Sequence, residues 1–463
     1  MNSGYAIRAR TLVPSATGEA IAGGGVIIAD GTIGQVGRFI DLPTEGLPVI
    51  DVPGTLMPGM IDAHSHLRGM PLDAHGIPQR RLESWLCSLA AMTPLSPADE
   101  ARLAAAELLE TGVTTVQGMA HSFDDPDAYR SMLADTAHGL RESGIRALVI
   151  LGYSDRAERA PQPPRGAWSL IPEVSHRMDP AGFGALADAW LQAEQGGVPD
   201  WGAGPVASQW VSPDALDRLA RLPAVSRLHT HLNESVHQRT WIAGDEPPVA
   251  RLDRAGLLDS RLSAAHAVHL TDEELTVIAQ RGVVLVHCPS SNRALGVGTA
   301  RVAEWLRRGI PSALGIDSQN TAHPDMFSVM RDAVDSAAGI GDPIDETAVF
   351  ALATTGGAEA VGRRELGRLE PGAPADLVAL ALETDPAAAV TEIVRLGTAD
   401  SVATVWVGGV RRVSSGRSLL DTGEVRRRLQ AHLDADAQRR AERLAVVAES
   451  VGIVEALLGE DDA

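Results

Sequence analysis

The chain has 463 residues, 22% of them charged and 44% hydrophobic, with a formal net charge of −20; that acidic balance argues against nucleic acid or anionic membranes as partners, because phosphate binding needs clustered cations. It contains no lysine at all, so a P-loop, a Schiff-base lysine and a carboxylated-lysine metal bridge are excluded. Only Cys87 and Cys288 are present, no apolar run approaches the roughly 18 residues that span a bilayer, and MNSGYAIRAR lacks a signal-peptide pattern, so the expected location is cytoplasmic.

Residues 1–55 read as short strands at 5–13, 25–28 and 49–52, with turns at Asp30-Gly31 and Pro53-Gly54. The same texture returns at 376–382 and at 402–407, the latter followed by Gly408-Gly409. Residues 1–55 and 369–420 are therefore expected to assemble one small β-sandwich domain from both chain ends. Between them, 56–368 alternates short apolar runs with amphipathic stretches. The runs lie at 56–63, 112–119, 145–151, 204–208, 226–231, 262–267, 282–287 and 310–316, and helices are expected at 97–110, 213–221, 272–281 and 300–308. Ser96 and Thr271 are candidate N-caps, the latter completed by Glu274 as a capping box. Eight strand-helix units in series predict an α/β fold, a (β/α)8 TIM-like barrel with its site at the C-terminal strand ends. The Pro- and Trp-rich stretch 152–200 (Pro161, Pro163, Pro164, Trp168, Trp190) reads as a long loop plus helix near the barrel mouth. Residues 421–463 read as a helical segment covering the surface or making a subunit contact.

Polar residues end several of the expected strands. The first ends in His64-Ser65-His66, and period-two alternation puts both histidines on one face. The fifth ends in His229-Thr230-His231-Leu232-Asn233-Glu234, the sixth in His266-Ala267-Val268-His269, the seventh in His287-Cys288-Pro289 and the eighth in Asp317-Ser318. Nitrogen and carboxylate donors converging at one end of a barrel suit Zn²⁺ or Fe²⁺. Three histidines and one aspartate leave a position for a water whose pKa the metal lowers. Spacing by itself does not choose between His229 and His231.

These residues carry a family resemblance. "PGMIDAHSH" opens the middle region, followed by "LLETGVTTV" at 108–116, "LHTHLNES" at 228–235 and "AAHAVHLTDEEL" at 264–275. "VHCPSSNRALGVG" at 286–298, "ALGIDS" at 313–318 and "GRLEPGAPADLVAL" at 367–380 complete the series. In this order and spacing the blocks resemble the amidohydrolase superfamily, in its deaminase/chlorohydrolase branch. That branch includes triazine hydrolases, methylthioadenosine/S-adenosylhomocysteine deaminases and oxopurine deaminases.

The resemblance implies one divalent metal per subunit, Zn²⁺ or Fe²⁺, held by His64, His66, His231 and Asp317. Glu234, three residues after His231, matches the family's acid/base glutamate, which selects His231 and leaves His229 behind it. His266 matches the histidine that orients water or substrate, and Asp317 also accepts a proton from the water. Leu82 and Trp85 match a segment that covers the ligand, although their spacing also suits a helix packing on the barrel. His121 and Gln209 are further substrate-contact candidates, with Gln117 and Trp210 beside them. Asn292 is expected to fix a loop, and His269, His287 and His323 to be structural.

The implied activity is release of ammonia from an amino-substituted N-heterocycle by a metal-activated water. Alternatives are another leaving group on the same machinery (halide, alkylamine, or opening of a cyclic amide or imine) and an inactive ligand-binding homologue. The implied partners are a small heterocyclic substrate and further copies of the chain, as a homodimer or higher homo-oligomer. Two departures bear on substrate. Ser318 follows Asp317 where many deaminases of this branch have glycine, and 67–79 does not closely match the adenosine-type deaminases.

Overall fold

The computed structural model describes residues 4–122, 125–155, 178–194, 196–222, 227–240, 246–318 and 325–461. Eight parallel strands form the barrel, each bonded to its chain neighbour. They are Met60–Ser65, Val113–His121, Arg146–Tyr153, Asp200–Pro205, Leu228–Leu232, Leu262–His266, Val284–His287 and Ser312–Leu314. The ring closes between first and eighth strands. Asp317 N–H donates to the His64 carbonyl at 2.8 Å, and Ile316 N–H donates to Asp62 Oδ1 at 2.9 Å. The helices cover the barrel with Ala, Leu and Val faces, as in Pro97–Glu110, whose Leu103, Ala104, Leu108 and Leu109 are fully buried.

The outer sheet has nine strands and draws on both ends of the chain, Tyr5–Leu12 to Val49–Pro58 pairing with Leu377–Leu380 to Arg417–Ser418. Eight of its strands form one bonded path that curls on itself, and Ile21–Ala22 pairs with Tyr5–Leu12 off that path. The Tyr5 hydroxyl donates to the Gly409 carbonyl at 2.6 Å, and Ile7, Val26, Leu56, Leu377 and Trp406 pack within the curl.

Several expected bounds shift. The run at 56–63 divides, since Leu56 to Pro58 belong to the outer sheet and the first barrel strand starts at Met60. Gly59 lies at the division because a Cβ there would come within 2.1 Å of the Thr114 side chain. The fourth strand is Asp200–Pro205 rather than 204–208: bonds from the Val206 N–H to the Tyr153 carbonyl and from the His231 N–H to the Val206 carbonyl carry the chain past Pro205 into the turn Ser208–Trp210. Thr32–Arg38 is a strand that the reading lacked, its signal diluted by Gly34 and Gly37. In 152–200 the helix is Pro180–Ala193, while Pro161, Pro163, Pro164 and Trp168 lie outside the described residues. The chain ends in two helices, Thr422–Ala435 and Ala437–Asp461. Among the described residues, no helix is long and apolar enough to cross a membrane.

Candidate active site

Four separate strand ends meet at the barrel mouth. His64 and His66 each place Nε2 3.3 Å from Asp317 Oδ1, so the first and eighth strands share one polar centre. The His231 ring stands 4.8 Å from that of His64 and 5.4 Å from that of His66, centroid to centroid. One ligand atom from each of His64, His66 and His231 lies within 4.8 Å of the others, and the same holds for His64, His266 and Asp317.

Each ring is held from behind. His231 Nδ1–H donates to the Val206 carbonyl at 2.7 Å, which leaves Nε2 as an acceptor facing the cluster. His266 Nδ1–H donates to Asn292 Oδ1 at 2.9 Å, turning its Nε2 toward Glu234 Oε1 at 3.7 Å and Asp317 Oδ2 at 4.0 Å. His64 Nδ1 faces His229 Nε2 at 2.8 Å, and His229 in turn meets Gln117 and Ser263. His66 Nδ1 lies 3.3 Å from His121 Nε2. The Ser291 hydroxyl donates to Asp317 Oδ2. Gly315 has no side chain where a Cβ would meet the His64 Cβ at 2.8 Å.

The electrostatics follow from burial. Desolvation lowers the pKa of His64, His231 and His266 and pushes His66 down to about 3, so all four are neutral imidazoles able to donate lone pairs. Burial opposes charge on Asp317 too, but the close approach of the His64 and His66 rings outweighs it and holds the carboxyl well below the usual range. Glu234 moves the other way, raised by burial and then by the charges of Asp317 and Glu83. Two carboxyls pushed in opposite directions thus flank His266.

A divalent cation fits this donor set. His64 Nε2 and His266 Nε2 are buried with no hydrogen-bond partner, an arrangement that costs free energy unless something electropositive occupies the space between them. Three neutral imidazoles with one carboxylate make a site for a single metal ion.

A cavity of about 510 Å³ opens above the cluster. Its floor is His66, His231, Glu234, His266 and Asp317; one wall is Leu82, Trp85, Leu86 and Leu89, and Val206 and Trp210 face it. Arg68, His121, Ser122, Asp125 and Ser318 supply polar groups. Leu82, Trp85 and His121 therefore line the cavity. Gln209 does not, which corrects the reading: Ser208–Trp210 is a 3₁₀ turn, and its tight repeat sends Trp210 inward and Gln209 elsewhere. Gln117 also lies outside the lining, buried against the Ala63 carbonyl and His229. His269 Nε2–H donates to the Val297 carbonyl at 2.7 Å, and His287 is buried beside Trp305. His323 lies outside the described residues. Ser263 and Ser291 were not singled out by residue type, and Asn292, expected to fix a loop, holds the His266 ring instead. The available signal was weak: a hydroxyl or amide in an otherwise apolar strand or turn.

Comparison with known proteins agrees with this arrangement. A model of the amidohydrolase family matches residues 55–412. The chain is 30% identical over 395 residues to the 5-methylthioadenosine/S-adenosylhomocysteine deaminase of Moorella thermoacetica, covering 80% of this chain and 83% of that one. Among solved structures, an adenosine deaminase from Xanthomonas campestris with bound zinc superposes with a TM-score of 0.74 at 27% identity, over 95% of this chain and 98% of that one. The zinc complex of atrazine chlorohydrolase from Arthrobacter aurescens shares the fold, with a TM-score of 0.78 at 22% identity, over 93% of this chain and all of that one (100%).

Proposed function

The chain belongs to the amidohydrolase family, and on that footing we propose that it is a zinc-dependent aminohydrolase releasing ammonia from an amino-substituted purine-like heterocycle. The observation that carries this reading is the convergence of His66, His231, Asp317, Glu234 and His266 on the floor of one cavity, with His64 buried directly beneath them against Asp317. Nucleoside deaminases among the relatives support the substrate class.

In this reading His64, His66, His231 and Asp317 hold the ion. When bound, such an ion acts as a Lewis acid and lowers the pKa of water toward neutrality. The residues of the chain do the rest. Leu82 and Trp85 cover the heterocycle and exclude bulk water from the floor. Glu234, kept protonated by burial, donates its proton to the ring nitrogen next to the attacked carbon. Asp317 accepts the proton of the attacking water, and its ionised state suits it to that task. His266, fixed by Asn292, lies between the two carboxyls and orients the water. Asp317 then passes the water's proton to the amino group so that ammonia leaves, and the remaining proton of the added hydroxyl returns to Glu234 as the carbonyl forms.

Metal analysis and a panel of aminopurines, aminopyrimidines and their nucleosides test the proposal. About one zinc per chain and stoichiometric ammonia are expected. A protein that binds no transition metal and is not activated by added Zn²⁺ or Fe²⁺ sinks it. Release of chloride or an alkylamine without ammonia would move the activity to the chlorohydrolase side of the branch.

A further inference from the structure

The loop joining the first barrel strand to the helix Pro97–Glu110 runs from 66 to 96, several times the roughly two to six residues usual for such a connection. It supplies Arg68, Leu82, Trp85, Leu86, Leu89 and Met92 to the cavity. A loop of that length needs external support if its side chains are to hold a fixed wall.

The support comes from the far end of the chain. Helix Ala437–Asp461 packs along helix Leu82–Leu89, with Val454 and Leu458, each 1% exposed, against Cys87. Arg443 donates to the carbonyls of Ala91 and Met92, both at 3.3 Å, and pairs with Asp436 at 2.5 Å. Arg440 donates to Thr93 Oγ1 at 3.0 Å and to the Leu433 carbonyl at 2.7 Å. Arg80 pairs with Glu455, and Arg81 reaches the Leu458 carbonyl at 3.5 Å. These contacts include backbone carbonyls at the end of the wall, which have no helical partner of their own. On its inner side the supported helix is tied to the floor. The Ser235 hydroxyl donates to the buried Glu83 carboxylate, one residue from Glu234.

We propose that helix Ala437–Asp461 is a positioning element of the active site. It seats helix Leu82–Leu89 so that Leu82 and Trp85 close the cavity and Glu83 fixes the chain beside Glu234. The inference rests on reading the cavity as the substrate site, but its first test needs no substrate.

Native-state hydrogen exchange on the metal-loaded wild-type protein reads the coupling directly. Amides of 82–89 and of 440–458 are expected to open together, in a step separate from and easier than that of the strand Leu228–Leu232. Independent opening of the two helices overturns the proposal, whether or not any heterocycle is deaminated. In a second arm, Arg443→Ala is expected to raise KM about tenfold with kcat changed much less and the metal retained. Arg443→Lys, which keeps a donor, recovers part of that loss. Val446→Ala, at a side chain 64% exposed on the same helix, sets the baseline. An unchanged KM in soluble, metal-loaded Arg443→Ala overturns the proposal. Should that variant not fold, the exchange result decides alone.

Discussion

In the outer sheet, Asp30 (φ 50°) and Ser415 (φ 52°) adopt left-handed backbone in exposed turns, each followed by a glycine. At the barrel mouth Asn233 (φ 44°), His266 (φ 69°), Ala267 (φ 48°) and Asp317 (φ 71°) adopt the same conformation while at most 5% exposed. In the turns the conformation is local geometry that a two-residue hairpin connection requires. At the mouth it is imposed by packing, costs on the order of 1–2 kcal/mol per residue, and aims His266 and Asp317 into the cavity. The two regions therefore divide the labour: the outer sheet contributes stability, and the mouth gives some up to place reacting groups. Mutations should separate accordingly.

The largest effect is expected from Glu234→Gln, which keeps size and metal but removes the acid. Turnover should fall by about 10³-fold, with metal content and Tm unchanged. A near-normal kcat would remove Glu234 from proton transfer and blunt the contrast. Trp406→Ala is the converse. Trp406 is 2% exposed in the core of the outer sheet, so unfolding free energy should drop by about 3–5 kcal/mol while kcat per folded molecule stays constant. Denaturant titration and active-site metal counting check both halves, and a lost kcat in the folded variant breaks the comparison.

A third test lies between the two regions. Glu100 accepts the Met70 N–H at 3.0 Å in the loop after the first strand, and burial pushes its pKa from 4.5 up to about 7. A carboxyl raised on folding contributes stability that is full below pH 4.5 and lost as pH rises through 7. Glu100→Gln should flatten the fall in stability across that window, a difference of about 3 kcal/mol at pH 8. An unaltered pH profile of Tm would dismiss the group. The smallest effect is Ser415→Asn, which suits the left-handed turn better. A gain of about 0.5 kcal/mol with unchanged kcat is expected, and a loss of activity would show that the outer turn reaches the site.

Much of this was legible in advance. The apolar runs locate all eight barrel strands, because parallel strands buried on both faces write themselves as continuous Val, Ile, Leu and Ala. Val402–Val407 matches the 402–407 expectation at both ends. Where the bounds moved, the cause was a local exception to periodicity: the turn at Ser208–Trp210 after the fourth strand, Gly59 turning the chain between sheets, and two glycines obscuring Thr32–Arg38. His66, His231, Glu234, His266 and Asp317, read from separate motifs, meet on one cavity floor, and His64 joins their cluster from beneath it. Gln209 and Trp210 could not be told apart, since a 3₁₀ turn has no signature in so short a span.

By itself, then, the sequence determined which residue types stand at the strand ends, because alternation and strand order are local properties of the chain. It also excluded lysine chemistry by composition. The match of Glu234 to the family pattern already selected His231 over His229. Only the tertiary structure supplied the physical reason: in one short strand, His229 packs behind His64 against Gln117 and Ser263, while His231 is held by the Val206 carbonyl and faces the cavity. It likewise decided that the last helix of the chain backs the wall of the site. Contacts between residues separated by more than three hundred positions leave no local pattern to read.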